Sequence, residues 1–339
     1  MKDFKAFISD FEKKLSDIIV DDISPELYCR KYLSHLLLHK KYYLAIYANV
    51  LNKLMLQSSK AKEEILLIDV GAGNGLLGIF AKYCGFKKVI INDIDDKFVN
   101  ASRKLAEQLD IKIDGFATGD INSVQSYFKN ETPDAVVATD VIEHIYDLDD
   151  FFAGIQKMNP SMISVFTTAS NPFNPFKVKE LKKIQIKDEL KGGDPGDHIL
   201  FGESPLEPFL KIREQIIKKN YPVLTDKEIS VLATETRGMV ENDIITAVDE
   251  YKLSGKFPVP ADGMNTCNPL NGSWTERILS PEAYISLYNN AGFTCKFYAG
   301  FYNDYEGGLK NFAKKLLNAG ITTFGKRISP YIVIVGFKK

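Results

Sequence analysis

A short apolar run followed by alternating glycines is the clearest pattern along the chain. Residues Ile65–Val70 are almost all apolar, as expected of a strand buried on both faces of a parallel sheet. Gly71, Gly73 and Gly75 follow, and Leu76–Cys84 then has the spacing of a helix. Glycine allows a tight turn and the close approach of a ligand, and free amides at a helix start favour polar or anionic groups. The pattern predicts a strand, a glycine-rich loop and a helix that hold a nucleotide-like ligand.

The alternation of apolar runs and helical spacing continues after this loop. Further strands are predicted over Lys88–Ile91, Gly115–Thr118, Ala135–Ala138 and Met162–Thr168. Helices are predicted over Asp96–Leu109 and Ile121–Phe128. This order requires a parallel sheet with right-handed crossovers, whose ligands bind beyond the carboxyl ends of the strands. Four acids stand at those ends: Asp69, Asp93, Asp120 and Asp140.

The segments on either side of this sheet are predicted to be mainly helical. Residues 1–62 show helical spacing, with a start signal at Ser24-Pro25-Glu26 before Leu27–Leu56. After a break at Asn171-Pro-Phe-Asn-Pro175, we interpret residues 171–273 as a helical cap that shapes a substrate pocket. Its predicted helices are Lys177–Lys191, Leu206–Lys219, Asp226–Glu235 and Glu241–Leu253. The sequence thus divides into an extension (1–62), a first core part (63–170), the cap (171–273) and a second core part (274–339).

Composition and charge narrow the function classes. The chain has 339 residues, a formal net charge of −1 and a pI near 6.5, so no overall field steers it onto nucleic acid. Its four cysteines are scattered, which favours free thiols in a reducing compartment. No apolar run approaches the length of a membrane span, and no signal peptide is evident. We expect a soluble cytoplasmic protein whose partner is a small molecule rather than a nucleic acid.

The glycine motif and the acids together resemble one enzyme family. The run from Gly73 to Gly78 matches the dinucleotide fingerprint, which alone is weak evidence. Asp69 directly before the loop, Asp93 after the next strand and Asp120 after the third make the set similar to class I S-adenosylmethionine (SAM) methyltransferases. The resemblance is good over about 65–168 and moderate at the C-terminal end. There Ser280-Pro-Glu282 opens a helix, and strands are expected at Thr294–Phe301 and 329–336.

This resemblance implies a fold, a cofactor and a set of binding residues. The fold is an α/β, Rossmann-like, doubly wound sheet of seven mostly parallel strands with an antiparallel last strand. The glycine loop would face the methionine part of SAM, Asp93 the ribose hydroxyls and Asp120 the adenine amine. N-terminal tyrosines (Tyr28, Tyr32, Tyr42 and Tyr43) would cover the site or only pack in the core. The implied cofactor-binding residues are Asp69, Gly71, Ala72, Gly73, Gly75, Asp93, Ile94, Asp120, Ile121 and Asp140.

The segment after the fourth strand carries candidate catalytic groups. Asp140, Glu143 and His144 would share one face of a helical turn. The spacing resembles that of methyltransferases in which such a trio helps to bind a divalent cation, and His198 in the cap could complete the set. Two carboxylates and an imidazole suit Mg²⁺, Mn²⁺, Fe²⁺ or Zn²⁺. Alternatively no metal is bound, and His144 or His198 acts as a general base.

These observations predict a SAM-dependent methyltransferase that methylates an oxygen of a small polar acceptor, such as a sugar. Two alternatives stay open: a metal-dependent RNA-terminal 2′-O-methyltransferase, and a non-catalytic SAM-binding partner subunit. A nicotinamide oxidoreductase is a weaker third. The acceptor, the use of a metal and the oligomeric state are not determined by the sequence.

Overall fold

The structure is a computed structural model that describes residues 3–128, 131–193, 207–260, 263–305 and 308–339. His198 and the start of the predicted helix Leu206–Lys219 lie outside the described residues. Contacts divide the chain into two compact units. Unit 1 comprises Met1–Ile142, Asp147–Asn174 and Ser280–Lys339, and unit 2 comprises Glu143–Tyr146 and Pro175–Leu279.

Unit 1 is built on a seven-stranded sheet of order β3-β2-β1-β4-β5-β7-β6. The strands are β1 Leu66–Val70, β2 Lys88–Asp93, β3 Gly115–Thr118, β4 Ala135–Thr139, β5 Ile163–Thr168, β6 Phe293–Ala299 and β7 Ile332–Lys338. Strands β1 to β5 pair in parallel, whereas β7 pairs antiparallel with both β5 and β6. The predicted Rossmann-like fold class, including the antiparallel last strand, is confirmed.

Helices cover the sheet of unit 1 and join its core. The α-helices are Ile8–Leu15, Leu27–Leu38, Lys40–Gln57, Leu76–Tyr83, Asp96–Gln108, Leu148–Met158, Pro281–Asn290 and Leu309–Phe324. Short 3-10 helices lie at Phe4–Phe7, Val20–Asp22, Lys62–Glu64, Ile121–Phe128 and Gly325–Arg327. One apolar cluster runs from the N-terminal helices, through Leu51 and Leu54, to Ile91 and Val137 in the sheet. The N-terminal extension is therefore an integral layer of unit 1.

The stretch Leu27–Leu56, predicted as one or two helices, forms two helices that meet at His39, which lacks helical dihedral angles. One helix of unit 1 departs from the sequence prediction. The helix Leu309–Phe324 between β6 and β7 was not predicted, although its apolar residues recur at helical spacing. Within the described ranges, no helix is long and apolar enough to cross a membrane.

Unit 2 is helical and has a core of its own. Its helices are Pro175–Leu190, Phe209–Asn220, Asp226–Glu235 and Glu241–Ser254. A capping box starts the helix Asp226–Glu235: the Thr225 hydroxyl accepts the Glu228 amide while the Glu228 carboxylate accepts the Thr225 amide. Ile217, Leu232 and Ile244 are among the buried residues that pack these helices together.

A buried ion pair and its hydrogen bonds connect three helices of unit 2 with Thr266, which follows the last of its helices. Arg213 is fully buried, and its guanidinium lies 2.5 Å from the Glu189 carboxylate, which is also buried. Arg213 Nε donates to the Ala233 carbonyl, and the Thr266 hydroxyl donates to Glu189, each at 2.7 Å. Because the charges are paired and further hydrogen-bonded, the pair can be tolerated away from water.

Candidate functional site

Asp69, near the end of β1, is buried and forms a hydrogen bond with the helix that follows the glycine loop. Its side chain is 1% exposed, and its Oδ2 accepts the Gly78 amide at 2.7 Å, in the first turn of the helix Leu76–Tyr83. Burial, partly offset by that amide and reinforced by the charge of Asp93, raises the pKa of Asp69 to about 7. The carboxylate therefore contacts the protein backbone, and its direct contact with a cofactor stays a prediction.

The glycine loop needs glycine for its backbone shape and for close packing. Gly71, Gly73 and Gly75 all have positive φ, between 55° and 72°. A Cβ on Gly73 would lie 2.9 Å from the Tyr32 ring, and one on Gly75 would lie 2.8 Å from Ser102. The loop glycines are thus closely surrounded by the chain's own side chains, a role that adds to any contact with a ligand.

Asp93 at the end of β2 links that strand to the glycine loop. Its Oδ2 accepts the Gly73 amide at 2.8 Å, and its Oδ1 accepts the Asp95 amide at 3.0 Å. The side chain is 8% exposed, and burial raises its pKa despite these hydrogen bonds. A carboxylate accepts about four hydrogen bonds, so beside the amides of Gly73, Asp95 and Ile94 the Asp93 carboxylate retains capacity for a ribose hydroxyl. The neighbouring Ile94 is 79% exposed.

Asn92 positions the loop after β3 that carries Asp120. The Asn92 side chain donates to the carbonyls of Ala117 and Gly119, at 3.1 and 2.9 Å. The backbone carbonyl of Asn92 accepts the Ala72 amide of the glycine loop at 3.0 Å. Asp120 is exposed and accepts the amide of Asn122 at 3.0 Å, and the adjacent Ile121 is buried. An exposed carboxylate beside a buried apolar residue suits an adenine ring and its amine.

The helix Leu27–Leu38 lies against the glycine loop. Asn74 is fully buried, and its side-chain amide donates to the Cys29 carbonyl of that helix at 3.0 Å. Tyr32, on the same helix, places its ring against Gly73. Asn74 had no role in the sequence prediction, because its partner is 45 residues away and no local pattern indicates that contact.

Asp140 follows β4 and lies near several tyrosines of unit 1. Its φ is +54°, and its amide donates to the Thr167 carbonyl at 3.0 Å. Burial, together with the charge of Asp140, raises the pKa of Tyr32 and Tyr42 and raises the pKa of Tyr43 to about 12. These phenols are therefore neutral near pH 7, so they can act as hydrogen-bond donors.

His144, in unit 2, is held in one tautomer by a backbone carbonyl. Its Nδ1 lies 2.8 Å from the Trp274 carbonyl, which can only accept, so Nδ1 carries the proton and the neutral ring keeps a free lone pair on Nε2. Trp274 stacks on Tyr146, with ring centroids 6.0 Å apart, and the Arg277 guanidinium lies 4.2 Å above the Trp274 ring. This packing fixes the carbonyl that orients His144.

The predicted metal trio does not share a helical face. Residues 142–144 form a turn, and Asp140 has left-handed rather than helical dihedral angles, so the expected helical turn is wrong. Glu143 is 1% exposed, and its carbonyl accepts the Arg277 amide at 3.2 Å. In the part of the chain that the structure describes, no three His, Cys, Asp or Glu side chains form a group that could hold a metal ion. His198 lies outside that part, so a metal site including it stays a prediction.

Two comparisons of sequence find methyltransferases. Residues 68–159 match a family model described as a methyltransferase domain. A curated relative, the ribosomal protein L11 methyltransferase of Aquifex aeolicus (strain VF5), is 31% identical over 169 residues. The match includes 49% of this chain and 54% of the relative, so the chain spans about half the length of that protein.

Solved structures similar to this chain also carry methyltransferase names. An S-adenosylmethionine-dependent methyltransferase from Mesorhizobium loti shares 11% identity, with a TM-score of 0.40 over 84% of this chain and 95% of that one. The magnesium protoporphyrin IX methyltransferase of Synechocystis PCC 6803, solved with bound SAH, shares 12% identity, with a TM-score of 0.38 over 88% and 86%. These values are low, and the fold assignment rests on the strand order of the sheet itself. Residues 68–159, which match the methyltransferase domain model, include the glycine loop and the acids at the ends of β1, β2 and β3.

Proposed function

We propose that the protein transfers a methyl group from SAM to a hydroxyl oxygen of a small polar acceptor. The observation that carries the proposal is Asp93: a buried carboxylate at the end of β2, bonded to the Gly73 amide, that retains acceptor capacity for a ribose. The methyltransferase family match over residues 68–159 supports the same reading.

Each residue of the cofactor site has a distinct task in this proposal. SAM, when bound, supplies an electrophilic methyl group on a sulfonium. Asp93 accepts a ribose hydroxyl, and Asp120 accepts the adenine amine. Tyr32, whose ring lies against Gly73, limits the access of water to the loop. Asp69 and Asn74 hold the loop in shape through Gly78 and the helix Leu27–Leu38.

His144 is the proposed general base. Because the Trp274 carbonyl holds the proton on Nδ1, the lone pair on Nε2 can take a proton from an acceptor hydroxyl. Deprotonation makes the oxygen a better nucleophile, and the imidazolium that forms keeps its hydrogen bond to Trp274. His198, which lies outside the described residues, is the alternative base.

The acceptor is proposed to be small and polar, with a sugar as the first class to test. A net charge of −1 and a pI near 6.5 provide no overall attraction for a polyanion such as RNA. A second candidate acceptor is a ribosomal protein, which the name of the Aquifex aeolicus relative favours. Transfer of labelled methyl groups to sugars, nucleotide sugars, RNA and ribosomal protein would separate these classes.

The function is tested by comparing SAM affinity with turnover in two variants. Asp93→Ala should weaken SAM binding by about 100-fold, as expected for the loss of a hydrogen bond to a charged group at roughly 1.5–3 kcal/mol. His144→Ala should leave the SAM Kd unchanged and lower kcat by about 10²–10⁴-fold. Calorimetry and a labelled-methyl assay give the two readouts.

Two further variants make this test specific. Asp149→Ala removes an exposed carboxylate of the helix Leu148–Met158 and should not change SAM affinity. His144→Asn keeps a donor for the Trp274 carbonyl but removes the base, so it should be as inactive as His144→Ala. Full turnover of His144→Asn would contradict the base role, and unchanged SAM affinity of Asp93→Ala would contradict the cofactor site.

A further inference from the structure

The helix Leu309–Phe324, here called the C-terminal basic helix, presents an exposed apolar stripe. The side chains of Phe312, Leu316 and Phe324 are 64%, 59% and 61% exposed, and Leu317 is 40% exposed. Steps of four residues advance about 40° around a helix, so these positions lie along one side of it. None of the described residues of this helix is classed as buried. An apolar stripe of this kind on an outer helix marks a surface for a partner.

The opposite face of the C-terminal basic helix is attached to unit 1 by polar contacts. Asn318 accepts the Tyr302 amide at 2.7 Å and donates to the Tyr302 carbonyl at 3.0 Å. Asn311, two turns earlier on the same face, has a side-chain oxygen shielded from solvent. The Tyr302 hydroxyl donates to the Ile328 carbonyl at 2.8 Å and so ties the segment before the helix to the segment after it. The polar face thus points to the protein and the apolar face points away.

The charged residues in the segment that contains the stripe have one sign. Residues 308–339 contain no Asp or Glu but seven Lys or Arg residues. At about 100° per residue, Lys310 lies at one edge of the apolar stripe and Lys315 lies at the other. Measured around the polar face of the helix, the two lysines are about 140° apart. Long cationic side chains at such edges can extend to a negatively charged surface while their stems cover apolar area. Lys326 and Arg327 follow directly after the helix.

We propose that the C-terminal basic helix docks on the surface of a membrane that contains anionic lipids. Its Phe and Leu side chains would enter the boundary between headgroups and acyl chains, and its lysines would contact the phosphates. The charge complementarity favours this occupant over a second copy of the chain, because a symmetric contact would bring identical cationic edges together. Such docking lies in the plane of the membrane and needs no membrane-spanning helix.

The experiment is co-sedimentation of the full chain with phospholipid vesicles. We expect binding to mixed phosphatidylcholine–phosphatidylglycerol vesicles, little binding to pure phosphatidylcholine, and weaker binding as salt is raised. Leu316→Asp should lower the partition coefficient about tenfold or more, because it places a charge in the apolar stripe. Lys310→Gln with Lys315→Gln should lower it by about tenfold to thirtyfold, since each lysine near an anionic surface contributes about fivefold.

Matched variants control for general effects. Leu56→Asp changes a helical leucine that is 62% exposed, close to the 59% of Leu316, and should bind vesicles like the unmodified chain. Lys182→Gln with Lys183→Gln removes two exposed lysines of the helix Pro175–Leu190 and should also bind normally. SAM affinity and circular dichroism verify that each variant is folded. If Leu316→Asp does not fold, the lysine pair still decides the question.

Three results would overturn the proposal. The first is a chain that stays in the supernatant with anionic vesicles. The second is binding to neutral vesicles that is as strong as binding to anionic vesicles, or binding of Leu316→Asp and of the double lysine variant that is as strong as binding of the unmodified chain. The third is a dimer in analytical ultracentrifugation that Leu316→Asp dissociates while vesicles bind neither form, which would assign the stripe to a second copy.

Discussion

At the scale of single residues, the loop depends on two buried carboxylates with different surroundings. Asp69 is sealed beneath the loop and bonded to Gly78, whereas Asp93 reaches the surface with part of its acceptor capacity left. Burial raises the pKa of both. Proximity of the two charges adds to the effect on Asp69, so its protonation is linked to stability near neutral pH.

Asp69→Asn should alter the pH dependence of folding. A pKa raised to about 7 in the folded state means that folding favours the protonated acid, so the stability that Asp69 contributes is present at low pH and is lost as pH rises through 7. The amide cannot ionise and still offers an oxygen to the Gly78 amide. The variant should therefore gain stability relative to the unmodified chain between about pH 4 and 7, by up to roughly 1.4 kcal/mol per pH unit. Urea unfolding across this range measures it, and parallel pH profiles would refute it.

The sequence could indicate that the acids lie at the carboxyl-end edge of the sheet, but not the direction in which each side chain points. The carboxyl ends of parallel strands converge, so the positions of Asp93 and Asp120 followed from strand spacing alone. That Asp69 points to Gly78 rather than outward depends on the geometry of the turn between them, and so does the left-handed backbone of Asp140. The helical turn expected at 140–144 was wrong for the same reason.

At the scale of elements, the helix Leu27–Leu38 and the glycine loop act together. Asn74 joins them at Cys29, and Tyr32 packs on Gly73. Helical spacing predicted that helix but not its contact with the loop, since the two are far apart in sequence. The C-terminal basic helix was missed although Phe312, Leu316 and Phe324 recur at helical spacing; that this apolar side is exposed could not be derived from the spacing.

Asn74→Ala should loosen this contact. Loss of a fully buried amide leaves the Cys29 carbonyl without that donor and should lower stability by about 1–3 kcal/mol. Hydrogen exchange should accelerate in residues 27–38, and SAM affinity should fall as the loop becomes less ordered. Asn100→Ala, at an exposed position of the helix Asp96–Gln108, serves as control and should change neither. Unchanged exchange in 27–38 would show that Asn74 does not hold that helix.

At the scale of the whole molecule, the chain contains two units, each with its own core. The proposed cofactor-binding residues at the ends of β1, β2 and β3 belong to unit 1. The buried pair of Arg213 and Glu189 belongs to unit 2, where loss of one partner would leave the other charge buried and unpaired. Changes in that pair should therefore affect folding of unit 2 without altering the SAM site. The predicted boundaries at 62, 170 and 273 stay predictions.

Arg213→Ala should destabilise unit 2 by about 3–5 kcal/mol, because it leaves the Glu189 charge buried without its partner. Calorimetry should show an unfolding transition at lower temperature, with SAM affinity retained at temperatures where both units are folded. Replacing Glu189 as well, in Arg213→Met with Glu189→Leu, should recover much of the loss. Lys211→Ala, in a pair with Glu207 at the surface, should change stability by less than about 1 kcal/mol. Equal effects of Arg213→Ala and Lys211→Ala would contradict this account.

The position of β7 has a consequence for biosynthesis. This strand is made after all the others, yet it lies between β5 and β6 and is the partner of both. While the ribosome is still translating residues 169–331, β5 has a vacant edge and β6 has no neighbour in the sheet. The nascent chain must therefore keep these edges apart from other polypeptides until residues 332–338 emerge and close the sheet.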